Sequence, residues 1–154
     1  AQGITHPDGY RTAPSAGALF PLEVYLVAGE VADLPAGVYR YRSRQHDLVP
    51  VRSGEVRPGL CAAALGQEWI GDAPAVLAIT GVHARTAGKY GRRAERYVQL
   101  EVGHAAQNVY LACEAIGAGT CAIGAYDQDK MDPILGVDGE DEFTVYVAPV
   151  GKAR

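Results

Sequence analysis

The chain has 154 residues, 48% of them hydrophobic and 21% charged, with 19 glycines. That length buries a core without disulfide or metal staples, and the mix excludes a disordered or fibrous chain. The formal charge of −4 is spread over both signs, and the one dense cationic group, Arg92-Arg93 with Arg96, is too small a footprint for nucleic-acid binding.

Gly9 to Gly17, rich in Gly, Pro, Ser and Thr, reads as a loop. Leu22 to Val27 follows as a strand by its β-branched and aromatic content. Gly37 to Arg42 alternates apolar and basic residues, the period-2 pattern of a half-exposed strand. A turn over Arg44 to Asp47 brings Leu48 to Val51 back as its hairpin partner, and Leu60 to Leu65 reads as a short helix after Pro58. The continuous apolar run Ala75 to Thr80 fits a buried central strand.

The longest predicted element is a helix from Arg92 to Ile116. It contains no proline, and Val98, Val102, Ala105, Val109, Ala112 and Ile116 recur at spacings of three and four. Gly117-Ala118-Gly119 ends it. Thr120 to Ala125 reads as a small-residue strand, Asp129 to Leu135 as a short helix ended by Gly136, and Phe143 to Val150 as the last strand. With no repeat, linker or low-complexity segment, a single α+β domain over residues 1–154 is expected.

The most informative stretch is Arg11-Thr12-Ala13-Pro14-Ser15-Ala16-Gly17-Ala18-Leu19-Phe20-Pro21. Pro14 fixes its own φ, and Ala16-Gly17 allow close backbone approach to a partner; an ordinary loop is the plainer reading. Gly117 to Asp127 is a second small-residue segment, whose uncovered amides suit a planar heterocycle or simply close helix–strand packing. Lys89-Tyr90 offers a proton acceptor beside a donor, if burial lowers the lysine from its ordinary value of about 10.4. Glu101, His104 and Asn108 share one face of the long helix. A lone Glu-x-x-His falls short of a di-iron set, so a buried hydrogen-bonding stripe is the better reading. His6, His46 and His83 are scattered, and no metal site is expected. Cys61, Cys113 and Cys121 have no ligand spacing and read as small buried hydrophobes, for which a reducing, cytoplasmic setting is the default. No run approaches the ~18 apolar residues of a membrane span, and the opening residues lack a signal-peptide pattern.

Five ordered segments together resemble the SagB-type, azoline-oxidising dehydrogenases of the nitroreductase superfamily. They are Pro14 to Pro21, Leu34 to Tyr41, Lys89-Tyr90-Gly91, Glu101-x-Gly103-His104-x-x-Gln107-Asn108, and Gly124-Ala125-Tyr126-Asp127. The resemblance implies a nitroreductase-like α+β fold: a mostly antiparallel sheet flanked by helices, with one long core and dimer helix. It implies a homodimer with FMN at the subunit interface and a small-molecule or peptide-derived substrate, with neither nucleic acid nor membrane as partner. Arg11, Pro14, Ser15, Ala16 and Gly17 become cofactor contacts, and Ala122, Ile123, Gly124 and Ala125 pass the isoalloxazine ring with amides near its polar edge. Lys89 and Tyr90 become the catalytic pair that removes a proton while hydride goes to the flavin.

One departure stands out. The superfamily's Arg/Ser-rich opening segment, which grips the flavin phosphate, has no counterpart before Ala1-Gln2-Gly3-Ile4-Thr5, and a phosphate wants Arg or Lys pairing. Arg11, Lys152 and Arg154 are the candidates. The sequence is thus a portion of a longer one, or a weak FMN binder, or a cofactor-free binding module of this fold; an NAD(P)H-driven nitroreductase is a further alternative. Val102, Ala105, Ala106, Val109 and Ala112 exceed what one sheet face should need, which points to a subunit interface along the long helix.

Overall fold

Nearly continuous burial along the central strands marks a sheet that is covered on both faces. A computed structural model describes residues 3–152. Its strands are β1 (Leu22–Ala28), β2 (Gly37–Arg42), β3 (Asp47–Ser53), β4 (Ala75–Val82), β5 (Ala118–Thr120) and β6 (Glu142–Lys152). They form a six-stranded sheet in the order β3-β2-β1-β4-β6-β5, with every neighbouring pair antiparallel. Pro50 sits in β3, which is an edge strand, where a missing N–H disturbs no further ladder.

Helices α1 (Arg57–Ala63), α2 (Glu68–Asp72) and α5 (Gln128–Leu135) cover one face. There Leu60, Ile70, Met131 and Leu135, all fully buried, pack on Val27, Val38, Val76 and Val147. Complete burial of each such side chain contributes about 1.5–3 kcal/mol. The other face takes α4 (Ala94–Ala115), through Val98, Val102, Ala105 and Ala106 against Leu22 and Ile79. The small residues read as a surplus are therefore mostly used within the chain: Val102, Ala105 and Ala106 are buried in this core, Val109 is buried too, and only Ala112 is exposed. The apolar residues that α4 does expose are Leu100, Tyr110 and Leu111, with Ile116 just beyond it.

Several boundaries differ from the sequence reading. Helix α3 (His83–Tyr90) occupies a stretch to which the sequence reading assigned no element, because it is only eight residues long, mostly polar, and buries only Thr86. It runs through a 3-10 turn at Gly91–Arg93 into α4, with Gly91 at φ 52° absorbing the break. Helix α2 was likewise invisible at five residues. The strand expected over Thr120 to Ala125 pairs at Ala118–Thr120 instead, leaves the ladder at Cys121, and touches β6 again only at Ile123, opposite Val147. Cys113 is buried and Cys61 half-buried, but Cys121 is exposed, since it lies where the chain leaves the ladder.

Arg57 fixes the junction of α1 with the sheet. Its guanidinium is buried, donating to Glu55 from Nε at 3.0 Å and Nη2 at 2.6 Å, and from Nη1 to the Ala73 carbonyl at 2.8 Å. A Cβ at Gly29 would lie 2.0 Å from Arg57 Cζ, so the glycine and the guanidinium share one space. Arg57→Ala should lower unfolding stability by about 2–4 kcal/mol by stranding the Ala73 carbonyl and Glu55. Gly29→Ala alone should cost about 2 kcal/mol, but under about 0.5 kcal/mol in the Arg57→Ala background. A urea-denaturation double-mutant cycle checks both; additive losses would separate the two residues.

Candidate functional site

The residues singled out from sequence converge where β1 begins and β4 ends, a pairing fixed by Leu22 opposite Gly81. The loop before β1 is conformationally unusual. Gly17 (φ 64°), Ala18 (φ 55°) and Phe20 (φ 47°) all occupy the left-handed region, which costs non-glycine residues about 1 kcal/mol or more each. Such a path persists only when its surroundings hold it.

The hold comes from α4. Glu101 is 4% exposed, and its Oε1 accepts the Ala16 amide at 2.7 Å across 85 residues of sequence. About two turns further on, Asn108 Nδ2 donates to Thr12 Oγ1 at 3.1 Å. The Phe20 amide donates to Ser15 Oγ at 2.9 Å, closing the loop on itself. The hydrogen-bonding stripe read on the long helix thus has a definite job for Glu101 and Asn108; His104 is exposed. The exit of the loop is tied to α3: Arg85 donates to the Phe20 carbonyl at 3.1 Å and to Glu23 Oε1 at 2.5 Å.

Helix α3 ends on Lys89 and Tyr90, and both reach the loop. A Cβ on Gly17 would lie 2.8 Å from Lys89 Nζ and 2.9 Å from Tyr90 Oη. Gly17 therefore leaves a cradle beside two proton-handling groups, 72 residues away in sequence. Tyr90 also packs on Tyr97, ring centroids 4.7 Å apart. Lys89 is exposed, so the desolvation that the sequence reading asked for is not supplied by this chain's own atoms. Next to the pair, Arg92, Arg93 and Arg96 are exposed and, like Lys89, form no ion pair among the described residues.

Arg11 and residues Ala13 to Ser15 line a small recess with Phe20, Leu22 and Glu101. The Arg11 guanidinium lies over the Phe20 ring at 4.3 Å, and its Nε is shut from solvent without a hydrogen-bond partner. Burial pushes the Arg11 guanidinium below its ordinary value, with Glu23 pulling the other way. Pro14 and Gly17 are exposed and Ser15 and Ala16 half-buried, so the loop offers a surface.

The second small-residue segment approaches from the side. Ala122 packs in the same cluster as Ala13 and Val102, and its amide donates to Tyr110 Oη at 2.7 Å. Ile123 is buried, exchanging backbone hydrogen bonds with Val147 at 2.8 and 3.0 Å. Two of the four amides expected to face a heterocycle are therefore already engaged, which the sequence could not show because Tyr110 and Val147 lie far away in it. Gly124 and Ala125 are exposed. Gly124 is not surrounded by open space, for a Cβ there would come 3.1 Å from Tyr146. Lys152 lies at the far end of β6, roughly 30 Å of strand from Glu142, and so away from the loop; Arg154 lies outside the described residues. No group of three or more metal-ligating side chains occurs among the described residues, and no helix there is long and apolar enough to cross a membrane.

A six-stranded antiparallel sheet with one long helix on one face, three short ones on the other and a glycine loop at one end is the nitroreductase-like fold. The chain belongs to the nitroreductase family, whose pattern matches residues 4–152 and whose members are in general oxidoreductases, typically flavin-dependent. It is similar to "Putative nitroreductase MJ1384" of Methanocaldococcus jannaschii, at 41% identity over 152 residues, 99% of this chain and 75% of that protein. "Trifolitoxin-processing protein TfxB" of Rhizobium leguminosarum bv. trifolii is 26% identical over 142 residues, 83% of this chain and 36% of that protein. A crystal structure of a "putative nitroreductase" from Anabaena variabilis superposes with a TM-score of 0.88 at 30% identity, over 92% of this chain and 29% of that one. The chain thus spans well under half of the last two relatives.

The Glu101 carboxyl stands above the ordinary carboxylate value, because burial penalises its charge more than the Ala16 amide, the Ser15 hydroxyl, His104 and Arg11 favour it. The folded state then holds this proton more tightly than the unfolded chain. Its contribution is complete below the unfolded value of about 4.3 and is lost as pH rises through the raised folded value. Glu101→Gln keeps an acceptor for the Ala16 amide without a charge. It should match or exceed wild-type stability at pH 7 and lose that advantage below about pH 4. Glu101→Ala should instead speed amide exchange at Ala16 to Ala18. Urea titrations at several pH values and hydrogen exchange check the pair; a Gln variant destabilised at pH 7 would mean the charge itself is required.

Proposed function

We propose that this chain is the flavin-binding core of an FMN-dependent oxidoreductase of the SagB-type dehydrogenase group, with Lys89 and Tyr90 handling the substrate proton. The observation that carries the reading is the exposed Gly17, whose missing Cβ lets Lys89 Nζ and Tyr90 Oη come up against the loop backbone. The residues present fit the cofactor in two respects. The missing Cβ leaves room for close backbone approach, and the buried Arg11 Nε lacks a partner beside the same loop. Pro14, Ser15, Ala16 and Gly17 would hold the ring from the loop, with Arg11 as the nearby cation. Gly124 and Ala125 would border it, while Ala122 and Ile123 act through their bonds to Tyr110 and Val147 as positioning residues.

Bound FMN supplies the hydride-accepting chemistry. The chain's own part is to place the substrate carbon beside Lys89 and to take its proton. Tyr90 Oη hydrogen-bonds or relays at the same spot. Cover by cofactor, substrate and a second subunit would shut the exposed Lys89 from bulk water where it meets the substrate. A homodimer meets that need, and the exposed Leu100, Tyr110 and Leu111 on α4, with the open Cα of Gly103, are the face we assign to it. The processing role in the name of the Rhizobium relative favours a peptide-derived substrate over a free small molecule. The unpaired Lys89, Arg92, Arg93 and Arg96 favour a second reading, an NAD(P)H-driven nitroreductase, since a dinucleotide is anionic. Rapid reduction of bound flavin by NAD(P)H would select that reading.

The purified protein should carry flavin absorbance, or acquire it from added FMN. Lys89→Ala should keep FMN and the dimer yet lose about 10²–10⁴-fold in turnover of whichever azoline or nitroaromatic compound the wild type accepts. Tyr90→Phe should fall less. Full activity in Lys89→Ala ends the catalytic assignment, and failure to bind FMN leaves a cofactor-free module of the same fold.

In sedimentation, Leu100→Glu with Leu111→Glu should convert the dimer to monomer and lower FMN occupancy with it, because charges in an apolar subunit core are strongly unfavourable. A wild-type monomer at micromolar concentration would remove the shared cleft.

A further inference from the structure

At the end of the sheet opposite Gly17, a groove of about 790 Å³ lies between α2 and the ends of β5 and β6. The register sets the separation: β4 meets the Gly17 end at Gly81 and this end at Ala75, opposite Val150. The floor is backbone and proline. Gly151 passes Pro74 so closely that a Cβ would lie 3.1 Å from Pro74 Cδ. The amides of Gly29 and Glu30 both donate to the Pro74 carbonyl at 3.0 Å, which brings Glu30 to the rim.

Three features of the lining point to a ligand class. Trp69, the chain's one tryptophan, is 64% exposed, while its neighbour Ile70 is fully buried and anchors α2. Asp72 stands three residues from Trp69 and four from Glu68, so it neighbours both on the surface of that helix. Glu68 and Asp72 form no ion pair among the described residues, Glu30 lies 3.4 Å from Arg57 Nη2, whose guanidinium is mainly taken by Glu55 and the Ala73 carbonyl, and Lys152 is the one lining cation among the described residues. Finally, β5 ends the sheet order, and no further strand pairs with its outer edge among the described residues.

The geometry points to this groove as a docking site for an extended segment of another protein that carries arginine or lysine side chains. The strand edge offers backbone hydrogen bonds to an extended chain. The Trp69 face takes a guanidinium or ammonium, an attraction that strengthens as the pair is desolvated. Glu68 and Asp72, with Glu30 shared with Arg57, select for cations and against an acidic segment. None of this depends on the flavin reading, because no residue of the groove belongs to the loop, to α3 or to α4.

Trp69 makes the site directly observable. The whole protein is titrated with a capped eight-residue peptide alternating arginine and valine, and separately with its glutamate–valine counterpart, while tryptophan emission is followed. The arginine peptide should give a saturable change and the glutamate peptide none. Glu68→Gln with Asp72→Asn, both exposed and uninvolved in the core, should weaken binding at least about tenfold, as should Trp69→Phe measured by calorimetry. Added FMN should leave the affinity unchanged. Equal response to both peptides, or an unaltered affinity in the double variant, overturns the proposal. Emission that instead tracks protein concentration without peptide assigns the groove to a second copy of this chain, which overturns it equally.

Discussion

A carboxylate under a helix organises the functional end of this molecule. Glu101 projects from the middle of α4 into the space behind the Pro14–Gly17 loop and takes the Ala16 amide. An unpaired buried carboxylate would be strongly unfavourable, so the loop must lie where its amide can be met. Three residues there tolerate left-handed backbone because that bond, Asn108 on Thr12 and Arg85 on Phe20 leave no easier route from Arg11 to Leu22. The cradle at Gly17 follows from this anchoring.

The same helix disciplines the second segment. Tyr110 reaches the Ala122 amide from the next turns of α4, so both small-residue stretches are referred to one rigid rod. The rod is itself fixed by Val98, Val102, Ala105 and Ala106 against the sheet. Backbone that must approach a ligand closely is thereby held by core packing, and not by its own few side chains. Helix α3 completes the arrangement: its Arg85 is paired to Glu23 on β1, and its last turn carries Lys89 and Tyr90 to the loop.

Charge is sorted across the molecule in a way that the net value of −4 conceals. Arg40, Arg42, Arg57, Arg85 and Lys130 are each paired to a carboxylate and serve the fold. Among the described residues Lys89, Arg92, Arg93 and Arg96 form no ion pair at one end of the sheet, while Glu68 and Asp72, with Glu30 shared with Arg57, crowd the other. Exposed charges so segregated give the two ends opposite local potentials, which bear on encounter with partners more than on stability.

Much of the fold was legible in the order of residues because burial imposes periods. The strand at Gly37 showed itself by alternation, those at Leu22 and Ala75 by β-branched content and an unbroken apolar run, and the long helix by recurrence at three and four. The loop at Pro14 to Gly17 and the Lys89-Tyr90 pair were likewise visible as unusual residues, and their order along the chain carried the family resemblance. What sequence could not settle was anything decided across the chain. Helices α2 and α3 were missed because they are five and eight residues long and each buries only one residue, Ile70 and Thr86. The small residues of α4 suggested a second subunit, and the sheet took them, since apolar pattern shows that a face is covered without showing by what. The amides of Ala122 and Ile123 looked available until Tyr110 and Val147 arrived from elsewhere. Sequence determined which residues can serve this chemistry; tertiary structure alone decided which of their hydrogen-bonding groups remain free to do so, because those partners are neighbours only once the sheet has closed.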